Sequence, residues 1–223
     1  MKILICCEES QTICKAFREI GLESYSCDIQ ICSGGHPEWH IMQDVLPLIN
    51  GYCSFYTMDG VYHSINSKWD LLIAHPPCTY LSNAGNRWFN VERYGVDALK
   101  RNYYRKDAIN FFMHFVYANC DHICIENPVG VMSTRYRKPD QIIQPWMFGD
   151  PYEKRTCLWL TGLPLLKPTK IVNPPPRLVH KSGRTSASWY SLAAHLPPDE
   201  RSRVRSKTFP GIAKAIAQQW LIF

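Results

Sequence analysis

Pro76-Pro77-Cys78 and Glu126-Asn127-Pro128 are the two strings in this 223-residue chain whose side chains could carry a covalent reaction. A proline fixes φ and offers no N–H, so two in a row end a strand and turn Cys78 from the core toward a cleft. There a sulfur can add to an electron-poor carbon. Glu126 closes the next strongly apolar run, and a partly buried carboxyl has its pKa raised and can hold a proton for such a step. Polar groups gather at other ends of apolar runs: Glu8, Glu9 and Ser10 after the first, Asp28 after the second, Asp44 further on. A turn at Glu8 to Ser10 can present backbone N–H groups at a helix start, but adjacent carboxylates suit a cationic ligand better than a phosphate, which disfavours a dinucleotide. The plainer reading is a structural turn for Pro-Pro-Cys and turn or cap residues for Asp28 and Asp44.

These groups need elements to position them. Lys2 to Cys7 reads as a strand; Ser10 is a candidate helix cap, with Ile13, Phe17 and Ile20 at helical spacing before Gly21. Glu23 to Cys27 reads as a second strand ending at Asp28, and Asp44 precedes a short apolar segment, Val45 to Ile49. Trp69 to Ala74 is a buried-strand candidate, stopped at His75-Pro76-Pro77. Residues 93–119 carry the longest helical pattern, with Leu99, Tyr103, Ile109, Phe112, Met113 and Val116 among its apolar positions, and His122 to Ile125 follows as a strand. The alternation predicts an α/β fold, a doubly wound and mostly parallel sheet. Ligands bind such sheets outside the carboxyl ends of the strands, where Asp28, Pro76 to Cys78 and Glu126 to Pro128 all fall. Thr156 to Leu160 is strand-like; Pro164, Pro168 and Pro174 to Pro176 then predict an irregular, basic excursion over 165–205 before a helix from Ile212 to Leu221. No internal repeat or low-complexity tract interrupts the pattern.

Composition, 46% hydrophobic and 20% charged, is that of a soluble globular domain with a real core. No apolar run reaches about 18 residues, and Met1 to Ile5 leads at once into cysteines and Glu8-Glu9, so neither a membrane span nor a signal peptide is expected and the location expected is cytoplasmic. Ten scattered cysteines without a CxxC pair read as reduced thiols. His36 and His40 stand at helical spacing without cysteines at zinc-site spacing, so no metal is expected. Charge divides unevenly: residues 1–150 carry 13 Lys/Arg against 16 Asp/Glu, and residues 151–223 carry 12 against 3. A basic C-terminal third fits a polyanion-facing side, because neutralising phosphates releases counterions, although a basic region is also a common solvated face.

Pro76-Pro77-Cys78-Thr79-Tyr80-Leu81-Ser82-Asn83-Ala84-Gly85 resembles the catalytic loop of DNA cytosine-5 methyltransferases, and Glu126-Asn127-Pro128 is similar to that family's Glu-Asn-Val element with Pro in place of Val. The resemblance implies a Rossmann-like methyltransferase fold, S-adenosylmethionine as cofactor, and double-stranded DNA as partner. It makes Cys78 the nucleophile at carbon 6 of cytosine and Glu126 the acid at the ring nitrogen and exocyclic amine, with Pro77 and Asn127 completing the two elements. Arg155, in Glu153-Lys154-Arg155-Thr156-Cys157, partly matches the family's Gln-x-Arg-x-Arg strand, whose second Arg is Cys157 here; a plain surface arginine is the alternative. The family's glycine-rich first turn is missing, replaced by Cys6-Cys7-Glu8-Glu9-Ser10-Gln11. By the resemblance Asp28 takes the ribose hydroxyls and Asp44 the adenine amino group; where the chain departs from the family, Glu8, Glu9 and Ser10, with Pro76, are expected to complete the cofactor site. Ser206 to Ala217 resembles the family's last, small-residue helix, or is simply an amphipathic capping helix.

Residues 1–164 with 206–223 are thus expected to form the catalytic domain, and 165–205 a short target-facing segment. A base within a duplex must be flipped out to react. Residues 79–90 suit a mobile loop, with Ser82, Asn83, Asn86 and Arg87 for hydrogen bonds, Gly85 as hinge and Trp88 for stacking. Arg177, Lys181, Arg184, Arg201, Arg203, Arg205 and Lys207 would clamp phosphates, with Trp189 or Tyr190 as base contacts. So short a reader predicts a short or relaxed target, and the compact size a phage or prophage origin; a monomer is favoured. The alternatives are a same-fold enzyme acting on RNA or free pyrimidine nucleotides or adding another group, and a non-catalytic DNA-binding relative.

Overall fold

A computed structural model of the chain describes residues 1–221, apart from the side chains of Trp189, Tyr190, Leu192, Pro198, Asp199, Ser202 and Arg203. In chain order the elements that position the cleft begin with β1 (Lys2–Cys6), α1 (Thr12–Glu19), β2 (Glu23–Asp28) and β3 (His40–Met42). They continue with the hairpin β4 (Cys53–Tyr56) and β5 (Tyr62–Ile65), β6 (Leu71–Ala74), α2 (Val91–Val116) and β7 (Ile123–Pro128). After these come α3 (Met132–Arg135), β8 (Gln141–Ile143), β9 (Thr156–Thr161), β10 (Leu178–Val179), β11 (Thr185–Ser186), α4 (Ser188–Ala193), α5 (Pro198–Ser206) and α6 (Pro210–Gln219).

Seven strands form one sheet in the order β3-β2-β1-β6-β7-β9-β8. From β3 to β7 every pairing is parallel, while β9 runs antiparallel to both β7 and β8, so the mixed α/β sheet is mostly parallel. The chain winds outward from β1 to β3, then returns to lay β6 on the other side of β1. That reversal opens a crevice at the carboxyl ends of β1 and β6.

Period-two alternation decides which helix meets which face. Ile3, Ile5, Leu71 and Ile73 point to the side covered by α1 and α6, against Ile13, Phe17, Ile212 and Trp220. Leu4, Leu72, Ile123 and Ile125 point to the other side, against Phe112 and Phe115 of α2 and the cluster of Phe55, Ile65 and Trp69. Each large side chain so buried contributes roughly 1.5–3 kcal/mol. Trp69 and Trp220 also satisfy their indole N–H groups, on the Leu48 and Pro164 carbonyls at 2.6 and 3.0 Å.

Several expectations are corrected. Ser10 does not cap α1; Gln11 holds that position in the left-handed region, φ 56°, and the free N–H groups of Ile13 and Cys14 go to the Glu8 carboxylate at 2.6 and 3.2 Å. Leu99 and Tyr103 do not face the core but are 55% and 63% exposed, because α2 breaks at Gly95 and its first half lies over the short 3-10 turn Asn83–Phe89. Residues 165–205 are not wholly irregular: they contain the β10–β11 hairpin and two helices. Proline breaks a helix interior but suits its first position, and Pro198 starts α5. The segment Val45 to Ile49 is a run of turns, and the β4–β5 hairpin is an addition to the expected elements. All ten cysteines are free thiols, and no helix among the described residues is long and apolar enough to cross a membrane.

Candidate active site

Three strand ends build a cleft of about 600 Å³, lined by Cys7 to Ser10 after β1, His75 to Cys78 after β6 and Glu126 to Val129 at the end of β7, with Glu153 to Arg155 and the end of α5 on the rim. Its volume is that of a small-molecule site. The loop after Cys78 is laced to the loop after Glu126. The Cys78 carbonyl accepts from Leu81 and Ser82 N–H at 3.0 and 2.9 Å, while Asn83 N–H donates to Val129 O and Val131 N–H to Leu81 O at 3.1 and 2.8 Å. Asn127, 2% exposed, donates Nδ2–H to the Pro76 carbonyl at 2.7 Å, and its Oδ1 is buried without a partner. Pro76 is buried and Pro77 exposed, so the turn presents Cys78 half-buried at the cleft wall.

The electrostatics of the pair differ from expectation. Burial pushes the Cys78 thiol above its ordinary value, Glu126 adds to the rise, and Lys154 opposes it. Burial likewise acts to raise Glu126, but the hydrogen bond from His75 and the charges of Lys154 and His75 outweigh it and hold the carboxyl below the usual range. The expected proton-holding Glu126 is therefore corrected to a carboxylate paired with an imidazole: His75 Nδ1 lies 3.0 Å from Glu126 Oε2, with 12% and 16% of the side chains exposed. Glu8 takes the opposite shift: burial raises it despite the favourable charge of His75 and the two α1 N–H groups. His75 thus sits between two carboxylates, and its Nε2 is buried without a partner among the described residues.

His75 and Lys154 are the residues that the sequence motifs do not reveal. Strand register finds the first: Ala74 pairs with Ile125, so the next residues, His75 and Glu126, meet. Lys154 adjoins the candidate Arg155, and it is Lys154 whose charge reaches both Cys78 and Glu126. Lys154 is fixed by donating Nζ–H to the Lys207 carbonyl at 3.1 Å; Arg155 is exposed on the rim.

At the other end, Glu9 and Ser10 line the cleft with Pro76. Glu8 lines it too, with its carboxylate engaged on α1. Asp28 and Asp44 stand behind Cys7, whose thiol is raised by burial first and then by Asp28, Cys27 and Asp44. Each aspartate also accepts an N–H two residues on, from Gln30 at 3.0 Å and Leu46 at 3.1 Å. The turn without glycine is built from left-handed Cys7 and Gln11, φ 59° and 56°. Gln11 holds its neighbour loop by both amide atoms, Nε2 to His36 O at 2.8 Å and Oε1 from His36 N at 3.0 Å. The space comes from Gly34, where a Cβ would lie 2.5 Å from that of Gln11.

Of the expected nucleic-acid contacts, Ser82, Arg201, Arg205 and Lys207 line the cleft. Asn83 accepts from Asn86 Nδ2 at 3.0 Å within the 3-10 turn, and the Arg87 guanidinium lies 4.5 Å from the Trp88 ring. Lys181 and Arg184 are exposed at the β10–β11 turn. Arg177 is not a free cation but an ion pair with Glu153. The side chains of Arg203, Trp189 and Tyr190 lie outside the described residues. His36 stacks on Trp39 at 3.8 Å and His40 is enclosed by Ser26 and Gln30.

Fold and cleft define an open, mostly parallel α/β protein with a cleft at the reversal of strand order. No family model and no curated protein matches the chain. Among solved structures it is similar to a protein assigned as a DNA modification methyltransferase encoded within an E. coli prophage, with a TM-score of 0.47 and 14% identity over 78% of this chain and 52% of that one. The chain spans about half that protein's length.

Proposed function

We propose that this protein is a DNA cytosine-5 methyltransferase in which Cys78 attacks a flipped cytosine. The observation that carries the reading is the meeting of Cys78 and the His75–Glu126 pair in one cleft, with the loops bearing them hydrogen-bonded to each other. Carbon 6 of cytosine accepts a nucleophile only if the electron pair displaced onto the ring nitrogen is met by a proton. Cys78 gives its proton to solvent in the cleft and, as thiolate, forms the bond to carbon 6. The proton shared by His75 and Glu126 meets the ring nitrogen, and the remaining Glu126 oxygen accepts from the exocyclic amine. Carbon 5 is then nucleophilic; once it is substituted, the ring nitrogen returns its proton to the His75–Glu126 pair, carbon 5 gives its proton to solvent, and the C5–H electron pair re-forms the ring double bond as the sulfur departs with its own. Lys154 favours both anions and keeps the pair poised.

The residues present fit S-adenosylmethionine in part: the cleft is large enough and Glu9 and Ser10 line it beside Pro76, while Asp28, at the end of β2, and Asp44, after β3, stand outside its lining. Bound there, it supplies an electrophilic methyl group. Glu8 serves this site indirectly by fixing the start of α1. Arg155, Arg201, Arg205 and Lys207 line the rim on the side of residues 165–205, which we assign to the target strand together with Lys181 and Arg184.

Nucleosides from DNA incubated with protein and S-adenosylmethionine, separated by mass spectrometry, should contain 5-methylcytosine. DNA carrying 5-fluorocytosine should trap a covalent adduct through Cys78, absent in Cys78→Ala. RNA and dCMP assayed alongside should receive no methyl group. Absence of both product and adduct on DNA refutes the reading.

A further inference from the structure

The first half of α2 is unusually bare for a helix beside a cleft. Of its 26 residues only Ala98, Phe112 and Phe115 are buried, and what the exposed half presents is basic and aromatic. Arg101 and Arg105 stand one turn apart on it and share one support: the Phe89 ring lies 5.2 Å from the Arg101 guanidinium and 3.2 Å from that of Arg105. Arg101 also lies over Tyr80 at 5.2 Å. Arg105 grips the loop that follows Cys78, through Nε to the Tyr80 carbonyl and Nη2 to Asn86 Oδ1, both at 2.9 Å. Burial, with the charges of Arg135 and Arg101, holds Arg105 below the ordinary arginine range.

Like charges gathered on one helix turn repel. Here no carboxylate offsets them: among the described residues neither arginine is in an ion pair. Arg101 Nε is buried with no hydrogen-bond partner among the described residues. Two guanidiniums on one aromatic support, one with an unmet buried donor and the other holding the loop that carries the nucleophile, suit a single tetrahedral anion, which takes guanidinium donors in pairs.

We propose that Arg101 and Arg105 form a binding site for a backbone phosphate of the DNA strand whose base enters the cleft. The assignment rests on the function proposed above and extends it. Because Arg105 also holds Tyr80 and Asn86, a phosphate seated there braces the segment after Cys78. The site is separate from the basic residues of α5, and it needs no sequence-specific contact, since phosphate contacts fix position and register.

The experiment is fluorescence anisotropy of a labelled cytosine-containing duplex of about 20 base pairs, titrated across roughly 50–200 mM salt. Proteins compared are the full-length chain and its Arg101→Gln variant, with Lys214→Gln on α6 as a control across the sheet. Arg105 is left intact because it holds the loop. Removing the Arg101 guanidinium should reduce the slope of log K against log salt by about 0.9. Lys214→Gln should leave it unchanged, with circular dichroism unaltered in both variants. An unchanged slope in Arg101→Gln overturns the proposal. So does saturable binding of inorganic phosphate that depends on Arg101 while the duplex slope does not, which would make the site one for a small free anion. Methyl transfer is measured on the same samples: a wild-type slope in Arg101→Gln with active wild-type enzyme strikes only the arginine site, whereas a reduced slope with no 5-methylcytosine from the wild type strikes only the reading of the cleft.

Discussion

Gly130→Ala tests whether the lacing of the two loops governs the chemistry. A Cβ at this position would lie 2.1 Å from the Leu81 carbonyl oxygen, 2.8 Å from its carbon and 3.0 Å from Ser82 Cα. Carbon and oxygen approach to about 3.3 Å at closest in weak contacts, so the loops must part by about 1.2 Å. All the atoms in the way are backbone, which leaves no flexible side chain to yield. Two hydrogen bonds cross at this point, Val131 N–H to Leu81 O and Asn83 N–H to Val129 O. At about 0.5–1.5 kcal/mol net each, their loss costs about 1–3 kcal/mol of stability. Cys78 follows the displaced loop, since its carbonyl is bonded to Leu81 and Ser82 N–H, and a shift of about 1 Å between reacting groups can cost on the order of 100-fold in rate. Tritiated methyl transfer to DNA and urea denaturation measure the two effects. Gly85→Ala is the matched control, because the nearest atom to its added Cβ is 3.6 Å away. A Gly130→Ala enzyme within a few-fold of wild-type turnover would refute the argument that the interlocked loops position the thiol.

Glu8→Ala should destabilise the protein by about 1–2 kcal/mol in urea titrations, since the Ile13 and Cys14 N–H groups lose their acceptor at the start of α1; no change would mean that solvent replaces the carboxylate. Stability against pH should carry two opposed contributions. Glu126, held below the usual range, contributes stability above pH about 4.3 that is lost as pH falls through its folded value; Glu8, held above it, contributes a gain as pH falls through its own folded value toward about 4.3. Glu126→Gln should therefore flatten the acid-side loss and Glu8→Ala the gain; a Glu126→Gln curve parallel to wild type would show that its pairing with His75 carries no folding energy. Phe17→Ala, at a fully buried position between α1 and α6, should cost about 3–5 kcal/mol by the same titration, and a loss under about 1.5 would indicate that the two helices close over the cavity.

How far the sequence could be read follows from the range of each interaction. The strands were legible because alternation is local: Leu4 and Leu72 face α2 while Ile3 and Ile73 face α1 and α6, and each run announces itself without its partners. Cys78 and Glu126 were legible as strand-end residues for the same reason. The His75–Glu126 pair was not, because it depends on β6 and β7 lying side by side in one register, which neither strand encodes alone. The protonation of Glu126 was illegible on that account: burial by itself raises a carboxyl, and only the imidazole and Lys154, brought in by the fold, reverse the sign. Leu99 and Tyr103 fit a helical stripe, yet the stripe on the first half of α2 meets no core once Gly95 breaks the helix.

The turn after β1 carries the same lesson into the opposite end of the cleft. A turn of this kind is expected to need glycine, because a left-handed residue with a side chain costs about 1–2 kcal/mol, and its absence between Cys6 and Gln11 argues against a bound ligand if the segment is read alone. Cys7 and Gln11 nevertheless take the left-handed conformation, and Gln11 offsets its cost with two hydrogen bonds to the backbone of His36. The glycine that permits this lies in the facing loop: Gly34 is where a side chain would strike Gln11 and the Ser10 carbonyl. What the fold requires is room for two backbones to approach, and either of them can supply it. A search for a glycine turn confined to one segment overlooks a turn whose glycine lies across the gap, at Gly34.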